Sequence, residues 1–458
     1  MAGEHASALS TSLSNDPAMS RAFFLLASGD EKRPNDGNPG LPDLATLCRQ
    51  AAKTSEVPRM TPPGTNLPPL PRAPLLDWSS FSQTEVSAEL PSIDNIRHTQ
   101  MTTSGRAAIY QALLQLRLAP ASVVLVPTYH CPTMIAPVIL AQLEVAYFGI
   151  SADGLPKLDN IDPATAAKAK AMLVPHYFGL AKSLAQVRQW CDEHQIALIE
   201  DCAHCYFGNA GERPVGTWGD FSTASLSKFF PVPEGGVLAS ASRTIEALDL
   251  APQGFKAQLK AWVDVFESAV SCGRFAGINW ALAGLLRVKN SLAHGRQGTS
   301  NGQASAPEDI MLTCDMERIA RAPLSPALLL KKVLPRGRII ARRRQNFALY
   351  ARHFAGVSGA HALYRGSVDN LAPYVFPLWV EDADRVYQAM RAQGLPVFRW
   401  DRSWPGTPRM PDDAGPSWSR HVLQLLCHQD LSSADITRTA LATLHLLANS
   451  QSTTAPRA

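Results

Sequence analysis

Between residues 100 and 240 the chain alternates short apolar runs with helix-like stretches, and that alternation restricts the fold more than any other feature of its 458 residues. The runs are VVLVPT, VAYFGI, AMLVPHYF, IALIED, FSTASLS and GGVLAS, and among them lie AAIYQALLQL, MIAPVILAQL and SLAQVRQWCDEH. Such alternation predicts a mostly parallel sheet covered by helices. Continuous apolar runs such as AMLV and IALI suit strands buried on both faces. The strands' carboxyl ends, Thr128-Tyr129, His176-Tyr177, Asp201 and Lys228, are then expected to line one crevice, where open α/β sheets bind ligands.

The flanks read differently. Residues 1–90 are rich in Pro, Ser, Asn and Gly and keep no sustained apolar period, which predicts an irregular extension; RAFFLLA and LATLCRQAA within it read as short helices. Residues 91–250 form the expected large domain. Residues 251–312 read as an inserted segment, with an amphipathic stretch KAQLKAWVDVFESAV and a polar loop HGRQGTSNGQASAPED. Residues 313–458 read as a smaller α+β domain, with one long helix-like segment from Leu324 to about Phe354, then YVFPLWV, LPVFRW and a last helix in DITRTALATLHLLA.

Composition excludes several classes. A hydrophobic content of 46% is that of an ordinary globular protein, and 43 Lys+Arg against 39 Asp+Glu leave only +4, which calls for neither nucleic acid nor an anionic membrane. The cluster Arg336, Arg338, Arg342, Arg343 and Arg344 lacks interleaved aromatics and reads as a solvated or interface face of a helix. The longest apolar stretch, Phe275 to Leu286, is far short of the roughly 20 residues of a membrane span. Eight scattered cysteines and no recognisable signal peptide suit a reducing cytoplasm. Cys202-Ala-His-Cys205 has the spacing of a redox or zinc motif, but no second CxxC or His pair accompanies it, and no metal site is expected.

Three places carry chemistry. Asp201 ends an apolar strand, where a carboxylate is costly to bury unless a cation meets it; a helix cap or surface acid is an equal reading of Asp201 taken alone. Lys228 lies between Ser227 and Phe229-Phe230, surroundings that lower an amine's pKa and leave it neutral for imine formation. Ser225 is placed three residues earlier and Gly235-Gly236 follow, the glycines allowing close backbone approach. Ser104-Gly105 stand before a strongly helical stretch, an ordinary N-cap or, with Arg106 beside it, an anion seat. An acid at one strand end and a lysine at a later one is the pair that pyridoxal phosphate chemistry requires: the lysine for a Schiff base, the acid to hold the ring nitrogen protonated.

In order and spacing, TSGRAAIYQAL, VLVPTYHCPTMIAPVILAQLEVAYFGI, AMLVPHYFG, ALIEDCAHCYFG and GDFSTASLSKFFPVPEGGVLAS resemble the DegT/StrS-type family of pyridoxal-phosphate sugar aminotransferases over about residues 95–245. The resemblance implies the aspartate aminotransferase-like fold (fold type I), a homodimer, an amino-acid donor such as glutamate or glutamine, and a keto-sugar acceptor. It implies Lys228 as Schiff-base lysine, Asp201 as partner of the pyridine nitrogen, His204 beside the ring, Ser225 with Ser104, Gly105 and Arg106 at the phosphate, and His176 in the site wall. The sequence departs from the family where Arg106 replaces a small residue and where Cys131 takes the place of the aromatic residue that stacks on the ring, so that stacking falls to His130 or Tyr129 or is lost. A family stretch that lends an Asn across the dimer to the phosphate is missing, and the inserted segment occupies its place. Arg399 and the strand-end His176 are the expected partners of a donor carboxylate or nucleotide phosphate, a purely structural role being the equal reading of both. A dehydratase, an enzyme acting on a non-sugar ketone and a non-catalytic binding protein of the same fold are the rival readings.

Overall fold

The computed structural model describes residues 69–82, 89–275, 277–280, 282, 284, 310–311 and 313–451. The two short helices expected before residue 60 and the polar loop after residue 293 lie outside them. The described residues carry an α/β fold built on a seven-stranded sheet. In chain order its strands are β1 (His98–Thr102), β2 (Val123–Pro127), β3 (Glu144–Phe148), β4 (Ala169–Pro175) and β5 (Ala197–Asp201), then, after a small hairpin of β6 (Asn209–Ala210) and β7 (Arg213–Pro214), β8 (Phe221–Ser225) and β9 (Gly236–Ser240). Their order across the sheet is β1-β9-β8-β5-β4-β2-β3, and β9 alone runs against the rest.

Successive residues of a strand point to opposite faces, so a strand buried on both faces must be apolar throughout. Leu125, Met172 and Leu198 enter one core cluster, while Val124, Val126, Leu173 and Ile199 enter another. This is the physical reason the runs read as continuous rather than alternating. Helices α1 (Gly105–Gln115), α2 (Pro132–Leu140), α3 (Pro163–Lys168) and α4 (Ala185–Glu193) connect the parallel strands.

The expected amphipathic stretch of the inserted segment is α5 (Phe255–Ser271), with Ala261, Val265, Ala269 and Val270 buried. The expected long helix from Leu324 is instead two, α6 (Ser325–Val333) and α7 (Arg336–His353). Pro335 lacks an N–H and disfavours helical backbone at the residue before it, and Leu334 is accordingly extended, at ψ 136°. Beyond them β10 (Ala360–Ala362), β11 (Val375–Val380), β12 (Val397–Phe398) and β13 (Val422–Leu426) form an antiparallel sheet in the order β10-β11-β13-β12. Helices α8 (Ala383–Ala392), α9 (Gly415–His421) and α10 (Ser433–Gln451) belong to this part.

Of the five arginines read as a solvated or interface face, Arg338 and Arg343 are buried and Arg336, Arg342 and Arg344 half-buried. Arg343 is fully buried, and Arg338 pairs with buried Asp430 at 2.9 Å. A guanidinium can be buried where every donor finds an acceptor, and Arg343 reaches Gln429 Oε1 (3.0 Å) and the carbonyls of Pro373 (3.0 Å) and Lys228 (2.6 Å). Its plane also lies over Phe229, 4.4 Å from the ring centroid.

No helix among the described residues is long and apolar enough to cross a membrane. The glycine pair after Lys228 packs β9 against the chain entering α1: Gly235 N donates to Thr103 O at 2.6 Å, and a Cβ on Gly236 would lie 2.2 Å from Ser104 O. Gly236→Ala is therefore expected to cost about 3 kcal/mol, the upper part of the range for overpacking, read as a lowered denaturation midpoint at unchanged slope.

Candidate active site

Asp201 closes β5 and Ser225 closes β8, two neighbouring parallel strands in which Asp201 sits opposite Thr223. Lys228 lies three residues beyond the strand, at the end of the short 3-10 turn Leu226–Lys228, rather than on the strand itself. The strand ends and the start of α1 meet at a cavity of about 470 Å³ whose wall includes Ser104, Gly105, Arg106, Cys131, His176, Asp201, His204, Ser225 and Lys228.

Electrostatics follow from burial. Asp201 Oδ1 accepts from Ala203 N (2.9 Å) and Thr223 Oγ1 (3.3 Å). Burial pushes the Asp201 carboxyl up, against the pull of the Lys228 amine. The same burial pushes Lys228 down from its ordinary value, and Asp201 opposes it. Each group thus lies in a pocket dry enough to disfavour its charge and close enough to the other to feel it. His204 is held neutral, well below the ordinary histidine range, by burial and by the nearby amine. Its Nδ1 accepts from Phe178 N at 3.2 Å, and its ring stacks on Tyr374 with centroids 4.5 Å apart.

The start of α1 serves two purposes. Ser104 Oγ caps the helix by accepting from Ala107 N (3.2 Å), the ordinary reading of a serine there. The first N–H groups of a helix have no intrahelical partners, and those of Gly105 and Arg106 stand at the cavity beside Ser225. The Arg106 guanidinium is spent on Asp315, through the Asp315 carboxylate and its carbonyl.

Three expected residues are placed otherwise. Tyr129 is buried among Tyr177, Trp400 and Trp418, with centroids 5.3, 5.3 and 5.5 Å away, and does not line the cavity. His130 turns into the core, where Nδ1 bonds Pro127 O (2.9 Å) and Nε2 accepts from Trp404 N (2.9 Å). Cys131 reaches the cavity instead, so neither neighbour takes over a stacking role from it. Arg399 lines the cavity, but its fork is occupied by Asp384 and by the carbonyls of Ser419 and Arg420. The cysteines of the CxxC are buried and free, their thiols pushed well up by burial.

The structure adds residues the sequence did not single out. Tyr374, at the head of β11, places its ring 5.3 Å from Lys228 Nζ. Gly179, at φ +83°, makes room for it: a Cβ there would lie 2.2 Å from Tyr374 N. Glu234 and Arg318 pair across the cavity wall. The run YVFPLWV marked Tyr374 as part of a strand but not as a neighbour of the lysine, because the contact spans 146 positions.

Glu200, next to Asp201, anchors the wall. Fully buried, it takes His176 Nε2 (2.8 Å) and the N–H groups of Gly216 (2.6 Å), Trp218 (2.8 Å) and Gly219 (3.2 Å). Burial works to raise its pKa, but the His176 ring and these N–H donors outweigh it and hold the carboxyl below its ordinary 4.5. A depressed acid contributes stability above its unfolded value and loses it as pH falls through the folded one. Denaturation midpoints are expected to drop in acid below about pH 4.5, less steeply in Glu200→Gln, while Glu200→Ala, which strands three N–H groups, costs about 3–5 kcal/mol at neutral pH.

Comparison with known proteins fits this geometry. Residues 87–276 match the DegT/DnrJ/EryC1/StrS aminotransferase family. The chain is 29% identical to a GDP-perosamine synthase of Vibrio cholerae over 175 residues, 37% of this chain and 48% of that one, so it spans about half that relative's length. It is 24% identical to a dTDP-4-dehydro-2,3,6-trideoxy-D-glucose 4-aminotransferase of Saccharopolyspora spinosa over 73% of this chain and 80% of the other. A solved structure described as a putative sugar aminotransferase of Streptococcus pneumoniae in its PLP form superposes with a TM-score of 0.53 at 16% identity, over 77% of this chain and 87% of that one, which is a likeness of fold. Through residues 87–276, the chain is similar to the DegT/DnrJ/EryC1/StrS aminotransferase family.

Proposed function

We propose that the protein is a pyridoxal-phosphate-dependent aminotransferase that moves an amino group from an amino-acid donor, glutamate or glutamine, to a keto sugar carried on a nucleotide, for glycan biosynthesis. The observation that carries this is the meeting of Lys228 and Asp201 in one buried cavity with the open N–H groups of α1. The named relatives that act on nucleotide-linked sugars support the acceptor class.

The residues present fit the cofactor. Asp201 is a buried carboxylate whose charge is disfavoured until a cation meets it, and a protonated ring nitrogen is such a cation. Ser225 and the Gly105 and Arg106 N–H groups would hold the phosphate, as helix N-termini do. When bound, pyridoxal phosphate supplies an electron sink for the charge left when a proton leaves the donor's α-carbon.

The chain's own groups do the rest. Burial lowers the proton affinity of Lys228, which favours the neutral amine; Nζ would hold the cofactor and, when freed, would serve as the base that takes the donor's α-proton and returns it. Asp201 would hold the cofactor's ring nitrogen in its cationic form when the cofactor is bound. His204, neutral and fixed by Phe178 N and Tyr374, adds a rigid wall with no competing charge. His176 is oriented by Glu200. We further propose, from the family resemblance, that the protein is a cytoplasmic homodimer.

The purified protein is expected to absorb near the visible edge and to lose that band when glutamate or glutamine is added; a dehydratase would not show this loss, and a non-catalytic relative would carry no band. Lys228→Ala is expected to abolish the imine band and to lower amino transfer by a factor of about 10²–10⁴ or more, the range for removal of a general acid–base group. An imine band that survives in this variant would remove Lys228 from the role.

A further inference from the structure

A second chamber, of about 400 Å³, adjoins the first, and the two share Ser227, Lys228, Pro233, Tyr374 and Phe398. Its outer wall is the arm Arg72–Leu76, which precedes the residues matched by the family. The arm is fixed in place. Leu75 and Leu76 are buried, Leu75 N donates to Asp430 Oδ2 (3.0 Å), and His428 Nε2 donates to Pro71 O (3.1 Å) while its Nδ1 accepts from Asp430 N (3.3 Å).

The charges around both chambers separate one arginine from the rest. Arg106 is held by Asp315, Arg318 by Glu234 and Arg399 by Asp384. Arg72 meets only the carbonyl of Val397 (3.3 Å) and the face of Phe398 (5.0 Å to the centroid), and it has no carboxylate partner among the described residues. Asp264, the acid of this chamber, is taken by Lys260 at 2.6 Å. Burial pushes His428 down to about 3, so it adds no charge. The chamber is therefore lined by the exposed Arg72 guanidinium, which has no carboxylate partner among the described residues, and by the Lys228 amine it shares with the first cavity. A guanidinium in that state suits a phosphate, which it can meet through two parallel N–H bonds. The volume lies within the range of small-molecule sites, and Pro74, Pro231 and Val232 offer apolar wall to the remainder of such a ligand.

We propose that this chamber seats the phosphate-bearing end of the acceptor, with Arg72 as its anion-binding side chain, so that the arm before the family's common region selects the acceptor. This rests on the reading of the protein as a sugar-nucleotide aminotransferase. The test is calorimetric titration of the full-length protein with guanosine and uridine diphosphates, beside the donor-driven loss of the visible band. At least one nucleotide is expected to bind, roughly tenfold or more weakly in Arg72→Ala and at an intermediate level in Arg72→Lys, with the donor response unchanged in both. Equal affinity in Arg72→Ala, no binding of either nucleotide by the unaltered protein, or loss of the donor response in Arg72→Ala would each overturn the proposal. Arg72-dependent nucleotide binding without any donor response would uphold the subsite and remove the aminotransferase reading instead.

Discussion

A carboxylate buried at the end of β5 and the half-buried amine of the turn that follows β8 set the terms for what surrounds them. Neither Lys228 nor Asp201 is stable as a lone charge in a dry cavity, and each is the other's nearest relief. The cost of that arrangement is met by the fold. Asp201 is held in place by Ala203 N and Thr223 Oγ1, and the Lys228 carbonyl by the buried guanidinium of Arg343.

The support comes from distant parts of the chain. Glu200 gathers the His176 ring and three backbone N–H groups of the segment after β7, so the wall beside Asp201 is built around a single carboxylate. Arg343 joins α7 to the Lys228 turn and to Pro373, one residue before Tyr374, which fixes the smaller sheet's contribution to the cavity. The arm reaches the same neighbourhood through Asp430, which also takes Arg338. The seven-stranded sheet, the four-stranded sheet and the arm therefore converge on the few residues around Lys228.

Much of this was legible from local pattern. Continuous apolar runs marked β2, β4 and β5 because both faces of those strands are covered, and the polar residues that end them marked the crevice. Asp201 and Ser225 at strand ends, and His204 and Lys228 three residues beyond those ends, all line the cavity. Tyr129 and His130 follow a strand in the same way yet turn inward, because the aromatic cluster around Trp400 and Trp418 and the N–H of Trp404 offer them buried partners from a segment more than 270 positions away. The arginine cluster misled for the same reason. Charge in a helix reads as solvent-facing unless the acceptors that bury it are known, and those of Arg343 come from three separate segments.

The amino-acid sequence by itself determined the α/β class, the order of strands and helices around the site, and the acid at the end of one strand with the lysine just after another, since these depend on periodicity and on local chemistry. Tertiary structure alone decided which side chains share the cavity, that Arg399 and Arg106 are already paired, that Tyr374 faces the amine, and that Arg72 is left with no carboxylate among the described residues. The physical reason is common to all of them. Burial and pairing are sums over contacts between segments far apart in the chain, and no short window of sequence contains both partners.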